Sequence, residues 1–171
     1  MSLDTFIREV KSFPMKEPFK LTAEYTGDNS VTIKLYLSKN NNKKNFVSYE
    51  TCVAFNPVLY LESGRTQEGY RRKGYGTWIR AVATWCAKRA GFKQVRQASS
   101  FLTNTPKTQR PTSAYIMNKL GFKFNKPNFE GETTEQRYLN LNQNTPELNQ
   151  IIKNLQKLHG SETRRGTHAQ P

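Results

Sequence analysis

The residues with the clearest chemical potential form a short run of cations and glycines, Arg71-Arg72-Lys73-Gly74-Tyr75-Gly76. A glycine-rich turn that opens a helix directs several backbone N–H groups at one point, and the helix dipole adds partial positive charge there. The cations add full charges, and the Thr77 hydroxyl adds one more hydrogen-bond donor. The run therefore predicts a site for a phosphate or pyrophosphate group. It is neither a Walker loop, which ends in Gly-Lys-Ser or Gly-Lys-Thr, nor a three-glycine dinucleotide fingerprint.

The charge of the chain also points to an anionic ligand or partner. The sequence has 27 Lys and Arg against 13 Asp and Glu, a formal net charge of +14. The excess is concentrated in residues 62–126, which hold 14 basic and 2 acidic residues and include the run above. A focused excess of this kind favours a polyanionic ligand or partner. The alternative is a charged surface that only keeps the protein in solution.

Hydrophobic periodicity places the run between a strand and a helix. Helical spacing of apolar residues predicts helices over 3–13, 74–90, 111–120 and 147–159. Alternation predicts strands over 19–25 and 31–37, and further strand-like runs predict strands over 46–55, 58–66, 94–99, 122–124 and 137–141. Consecutive strands favour antiparallel pairing, and the later strand–helix–strand units favour some parallel pairing. We therefore expect an α/β fold with one central mixed, mostly antiparallel sheet and flanking helices.

The length of 171 residues suits a single domain, which we expect over 1–159, followed by a disordered tail over 160–171. No apolar run approaches the roughly 20 residues that span a bilayer, and the N-terminus has no signal pattern. We therefore expect a cytoplasmic protein without a membrane partner. The spacing of the two cysteines and two histidines predicts no metal site, and Cys52, Cys86, Trp78 and Trp85 are expected in the core.

Two segments resemble the GNAT-type N-acetyltransferases. The stretch from Tyr60 to Gly76 resembles their acetyl-CoA-binding motif, in which a strand is followed by an Arg/Gln-x-x-Gly-x-Gly/Ala turn and a long helix. The stretch Asn118-Lys119-Leu120-Gly121-Phe122 resembles the signature that closes the second helix of the family's core. The two motifs occur in the family's order and at a suitable separation, so the resemblance covers roughly residues 58–124.

The resemblance implies a single GNAT-like domain that uses acetyl-CoA as co-substrate and acetylates a primary amine, on a protein, a peptide or an aminoacyl-tRNA. It implies that the backbone of the glycine turn holds the pyrophosphate and that the end of the preceding strand pairs with the pantetheine arm. Asn104, in a longer loop, would replace an Asn of the family motif. The implied cofactor-binding residues are Gly64, Arg65, Thr66, Arg71, Arg72, Lys73, Gly74, Tyr75, Gly76, Thr77 and Asn104.

The catalytic positions depart from the family's pattern. The family's general acid is a Tyr, and counting back from Gly121 places Met117 at that position. Tyr115 lies two residues away, which on a helix points to nearly the opposite side, so it serves as the acid only if this register is wrong. Glu62 is the expected general base, and burial on the strand beside the cofactor would raise its pKa. The alternative is that Glu62 is solvated or pairs with an Arg.

A second hypothesis keeps the fold but not the chemistry. The chain would then be a GNAT-fold module that binds nucleic acid through its basic face. Met117 at the acid position favours this hypothesis, whereas Gly74 and Gly76 argue against it, because a lost cofactor site would not need them. Under the first hypothesis the basic segment favours an anionic acceptor and disfavours a free polyamine.

Overall fold

The computed structural model of the chain describes residues 2–15, 17–37, 46–100, 112–125 and 134–160. Four helices and seven strands follow one another along these residues, with a single 3₁₀ turn at Glu68–Tyr70 after the fourth strand. The elements are α1 (Leu3–Lys11), β1 (Phe19–Gly27), β2 (Ser30–Leu37), β3 (Phe46–Phe55), β4 (Val58–Thr66), α2 (Tyr75–Arg89), β5 (Gln94–Ser100), α3 (Thr112–Lys119), β6 (Lys123–Asn125), β7 (Thr134–Asn140) and α4 (Pro146–Gly160).

The seven strands form one sheet in the order β1-β2-β3-β4-β5-β7-β6. Only β4 and β5 are parallel; the other neighbouring pairs are antiparallel. The predicted mixed, mostly antiparallel sheet with flanking helices is thus confirmed. The largest boundary difference is at β7, which begins at Thr134 rather than Arg137 because its polar first residues pair with the end of β5. Of the predicted tail, only Gly160, at the end of α4, lies within the described residues.

One face of the sheet is buried beneath the helices. Ile33, Glu50 and Leu61 point to this face and are about 1% exposed or less. The helix α2 crosses it, and each of the other three helices contacts α2. Cys52 and Cys86 are buried in the core as expected. Trp78 and Trp85 are half-buried at its edge, and the Trp78 ring lies edge-on to Tyr75, with their centroids 5.3 Å apart.

The strand β4 changes its pairing at Glu62. On the β3 side, Leu61 pairs with Cys52 and Ser63 pairs with Thr51, so that Glu62 has no partner and forms a bulge. On the other side, parallel pairing with β5 ends at Leu61. A bulge bends its strand and increases the local twist. Residues 62–66 of β4 therefore diverge from β5, which continues beside β7, and a gap opens within the sheet.

Two absences hold for the residues that the structure describes. No helix among them is long and apolar enough to cross a membrane. The same residues contain no group of three or more His, Cys, Asp and Glu side chains that could hold a metal ion.

Candidate functional site

A cleft of about 720 Å³ opens where β4 leaves β5. Its walls are the first half of β3, the C-terminal end of β4, the turn before α2, the first turns of α2, and α3. This volume lies within the range of small-molecule sites, about 300–1,000 Å³. The residues that line it are Ser48, Tyr49, Glu50, Gly64, Arg65, Thr66, Tyr70, Arg71, Arg72, Gly74, Tyr75, Gly76, Thr77, Ile79, Arg80, Tyr115, Ile116 and Lys119.

The turn before α2 exposes the N-terminus of that helix. Gly74 is the N-cap, with a φ of +86°, and no side chain caps the helix. The first helical hydrogen bond runs from the Trp78 N–H to the Gly74 carbonyl, at 3.0 Å. The N–H groups of residues 75–77 precede that bond, as the unpaired donors of a helix start do. Because all three residues line the cleft, these donors and the positive end of the helix dipole are available to an anion.

Arg72 shares the left-handed conformation of the turn, with a φ of +60°. This region is unfavourable for a residue with a Cβ, by about 1–2 kcal/mol. A non-glycine residue in such a conformation is typical of functional turns. The Arg72 side chain lines the cleft, so the strained backbone places a cation beside the open helix N-terminus.

Gly76 allows the elements around the cleft to approach one another closely. A Cβ at this position would lie 3.3 Å from Cδ1 of Ile116 on α3 and 3.4 Å from Oγ1 of Thr66 on β4. The first of these contacts is tighter than ordinary packing, so a larger residue would push α2 away from its neighbours. Gly74 and Gly76 therefore have different roles, the first being conformational and the second steric.

Hydrogen bonds fix the end of β4. The Ser48 hydroxyl donates to the Arg65 carbonyl at 3.1 Å, and its oxygen lies 3.0 Å from the Thr66 hydroxyl. The Arg71 Nε donates to the Thr66 carbonyl at 3.3 Å. The strand end and the cationic turn are thereby held together before any ligand binds.

The floor of the cleft carries a buried ion pair that the sequence analysis did not predict. The Arg80 Nε donates to Oε2 of Glu50 at 2.9 Å, and the two side chains are only 9% and 2% exposed. Burial raises the pKa of the Glu50 carboxyl above its ordinary value, and the nearby Arg80 guanidinium partly opposes that shift. The only sequence signal is the inward position of Glu50 between Ser48 and Cys52 on an alternating strand.

Most of the predicted cofactor-binding residues come together in this cleft. Lys73 is an exception, because its ammonium lies over the Tyr70 ring, 5.8 Å from the centroid, and does not line the cleft. Asn104 lies outside the described residues. The nine that line it are Gly64, Arg65, Thr66, Arg71, Arg72, Gly74, Tyr75, Gly76 and Thr77.

Tyr115 and Met117 take opposite positions on α3. The Met117 side chain is fully buried in the core, whereas Tyr115 is 61% exposed and lines the cleft. The Lys119 ammonium lies over the Tyr115 ring, 4.6 Å from its centroid. The expected opposition of the two side chains is confirmed, and it is Tyr115 that faces the cleft.

The expected burial of Glu62 is wrong. Its side chain is exposed and does not line the cleft. The reason is the bulge, which removes Glu62 from the register that alternates residues between the two faces of β4. The buried carboxylate that lines the cleft is instead Glu50, on the neighbouring strand.

Comparison with solved structures identifies the fold. An acetyltransferase from Bacillus subtilis in complex with CoA matches 73% of this chain and 99% of its own, with 12% identity and a TM-score of 0.53. The ribosomal-protein-S18-alanine N-acetyltransferase from Escherichia coli matches 68% and 72%, with 12% identity and a TM-score of 0.51. A GNAT-family protein from Desulfovibrio desulfuricans matches 66% and 70%, with 10% identity and the same TM-score. This chain has the GNAT fold. No protein-family model and no curated protein sequence matches it.

Within this GNAT fold, the charge of the cleft suits an anion. Its lining contains five cations, Arg65, Arg71, Arg72, Arg80 and Lys119, and one carboxylate, Glu50, which pairs with Arg80. The cations at the turn adjoin the open helix N-terminus, and the unpaired edge of β4 lies further in. The residues present therefore fit a ligand with phosphates at one end and an amide-bearing arm at the other, as in coenzyme A.

Proposed function

We propose that the protein is an acetyl-CoA-dependent N-acetyltransferase that transfers an acetyl group to a primary amine. The observation that carries the proposal is the single cleft in which an open helix N-terminus, several cations and an unpaired strand edge meet. Each of these features recognises a different part of coenzyme A. The solved neighbours support the same ligand, since the one from Bacillus subtilis contains CoA.

Different residues of the cleft would bind different parts of acetyl-CoA. The N–H groups of residues 75–77, with Arg71 and Arg72, would hold the pyrophosphate. The edge of β4 from Gly64 to Thr66, which has no β5 partner, would hydrogen-bond the pantetheine amides as an added strand does. Lys119 and Tyr115 would flank the thiol end from α3.

Bound acetyl-CoA supplies a thioester whose carbonyl carbon bonds to the amine nitrogen while its C–S bond breaks. Tyr115 is assigned as the acid, because it lines the cleft from α3 beside Lys119 and carries a hydroxyl that can donate a proton; it gives that proton to the departing thiolate sulfur. Glu62 is assigned as the base that accepts the proton lost by the amine nitrogen. It stands at the bulge, where the strands separate, and its exposure leaves it accessible to an incoming amine.

The hypothesis of an inactive module loses its main support. It depended on Met117 at the position of the family's acid, but that position faces the core and Met117 is fully buried. Tyr115 does line the cleft.

Two measurements test the proposal. Calorimetry with acetyl-CoA at about 50 μM should detect binding, and release of free thiol should follow addition of an amine, an N-terminal peptide or charged tRNA. Replacing Arg71 and Arg72 together by Ala should weaken binding about tenfold or more. The matched control is Lys73→Ala, which removes a neighbouring cation that does not line the cleft. An absence of binding by the intact protein, or equal loss in the control, would overturn the proposal.

A further inference from the structure

The sheet face that points away from α2 carries an unusual set of side chains, and we call it the open face. Its residues are half-exposed or exposed in the described part of the chain, with the exception of Thr32. Aromatic rings and cations dominate it. The rings and cations of the open face that form its rows are Lys20, Lys34, Tyr36, Phe46, Tyr49, Tyr60, Arg65, Arg96, Lys123 and Tyr138.

Strand register arranges these residues in rows that combine cations with rings. One row runs Lys20, Tyr36, Phe46 across β1, β2 and β3. The next runs Lys34, Tyr49, Arg65 across β2, β3 and β4. The third runs Tyr60, Arg96, Tyr138, Lys123 across β4, β5, β7 and β6.

Several aromatic rings of the open face contact one another and still remain partly exposed. The Phe46 ring lies nearly parallel to that of Tyr49, with their centroids 6.1 Å apart and an angle of 26°. Tyr60 contacts Phe55 edge-on at 5.7 Å, and Phe55 is itself 61% exposed. Around Arg96 the face is concave, with a depression of about 230 Å³ bordered by Tyr138, Gln94 and Gln136.

The charge of the open face is strongly positive. Glu24 on β1 forms an ion pair with Lys34, which neutralises one cation. Lys20, Arg65, Arg96 and Lys123 remain without an ion-pair partner among the described residues. Three of them belong to the segment 62–126. Only some of the many basic residues of this segment line the cleft.

We propose that the open face binds single-stranded nucleic acid. Proteins that bind single strands combine aromatic platforms, on which bases stack, with cations that follow the phosphate backbone. Rows that mix cations with rings offer both contacts within one strand spacing, about 4.8 Å. A base stacked on a Tyr would thus have its phosphate within reach of the neighbouring Arg or Lys.

Stacking of bases on the rings would favour single strands over two other polyanions, duplex nucleic acid and acidic peptides. A duplex keeps its bases stacked inside and offers only phosphates to the rings, and an acidic peptide has no base to stack. Both would bind through charge alone, without the aromatic contribution. Dependence of affinity on the rings therefore distinguishes single strands from either.

The open face reaches the rim of the cleft. Tyr49 and Arg65, partners across β3 and β4, belong to the middle row and also line the cleft. A strand bound along this row would end beside the cofactor. The inference stands independently of acetyl transfer, since it rests on the rows and not on the contents of the cleft.

Fluorescence anisotropy of labelled 20-residue oligouridylate and oligothymidylate tests the inference, with a 20-base-pair duplex and polyglutamate as comparisons. We expect either or both single strands to bind at least tenfold more tightly than the duplex and polyglutamate at about 150 mM salt; which one binds more tightly shows whether RNA or DNA is preferred. Equal affinity for all four polyanions, or no binding of either single strand, would overturn it.

Variants separate stacking from charge. Tyr60→Thr with Tyr138→Thr keeps residues that favour strands and should weaken single-strand binding about 100-fold, whereas Tyr138→Phe should not. The matched control is Tyr25→Thr, which removes an exposed ring whose hydroxyl bonds to Asp4 of α1, away from the open face.

The contribution of charge is tested separately. Arg96→Gln should lower the slope of log affinity against log salt by about 1, and Arg89→Gln on α2 should not. If the double variant retains its fold by circular dichroism and binds like the Tyr25 variant, the inference fails; Arg96→Gln decides the question if the double variant does not fold.

Discussion

The carboxylate of Glu50 occupies the space that a side chain on Gly64 would need. A Cβ on Gly64 would lie 1.9 Å from Glu50 Oε2 and 3.0 Å from the Tyr49 carbonyl oxygen. The carboxylate cannot simply move aside, because the same oxygen accepts a hydrogen bond from Arg80. Gly64, predicted as a cofactor-contact residue, is therefore required by packing even without a ligand.

Replacing Gly64 by Ala should destabilise the fold. Overpacking in a well-packed core typically costs about 1–3 kcal/mol, and displacement of a buried ion pair places this variant at the upper end. The free energy of unfolding in urea measures the effect. Gly69→Ala is the control, because a Cβ there meets nothing within 4 Å, and should change stability by about 0.5 kcal/mol or less. Equal stability of the two variants would contradict the packing argument.

The stability of the protein should depend on pH through Glu50. Burial raises the pKa of this carboxyl in the folded state above its ordinary value of 4.5, so the folded protein binds the proton more tightly than the unfolded chain does. Protonated Glu50 therefore contributes to the free energy of unfolding. This contribution is complete below the pKa of Glu50 in the unfolded chain and is lost as pH rises through its higher pKa in the folded protein. Urea denaturation of the wild type and Glu50→Gln from pH 4 upward measures this. The stability of the wild type relative to the variant should fall with rising pH, and a constant or rising difference would contradict the assignment.

Two replacements of Arg72 should separate its backbone from its charge. Arg72→Ala and Arg72→Gly both remove the cation, so both should weaken acetyl-CoA binding to a similar extent in calorimetry. Only glycine relieves the positive φ, so Arg72→Gly should be more stable than Arg72→Ala by about 1 kcal/mol. Equal stability would show that the left-handed conformation is not strained.

Tyr115 and Met117 should give contrasting variants. Tyr115→Phe removes only a hydroxyl at the cleft, so kcat should fall by about 100-fold or more, with little change in thermal stability or in the KM for acetyl-CoA. Met117→Ala leaves a cavity in the core and should destabilise by about 2–5 kcal/mol. A Tyr115→Phe enzyme with unchanged kcat would remove the hydroxyl from the mechanism, and a stable Met117→Ala would contradict the packing of α3.

The sequence predicted the elements well because each is a local pattern. Alternation and shorter strand-like runs located the seven strands of the described residues, and helical spacing located their four helices, including the start of α2 at the glycine turn. The opposition of Tyr115 and Met117 followed from two-residue spacing on one helix. These predictions needed no information about which element packs on which.

The expected burial of Glu62 failed, and the buried Glu50 was not predicted at all, because both depend on how the elements pair and pack. The exposure of Glu62 follows from the bulge, which depends on how β3 and β4 pair and leaves no mark in the composition of β4. The pairing of Glu50 with Arg80 joins residues 30 positions apart on different elements. The open face likewise depends on register across seven strands, and the packing of the other described helices against α2 depends on tertiary contacts.

The gap beside β4 also bears on the cooperativity of unfolding. It divides the sheet into two parts, β1–β4 and β5–β7, which we call its two leaves; among the described residues, only the pairing of residues 58–61 with 94–97 joins them directly. A ligand that hydrogen-bonds along the free edge of β4 while contacting α3 would link the two leaves. We therefore expect bound coenzyme A to raise the midpoint of thermal unfolding and also to sharpen the transition, so that the leaves melt as one unit.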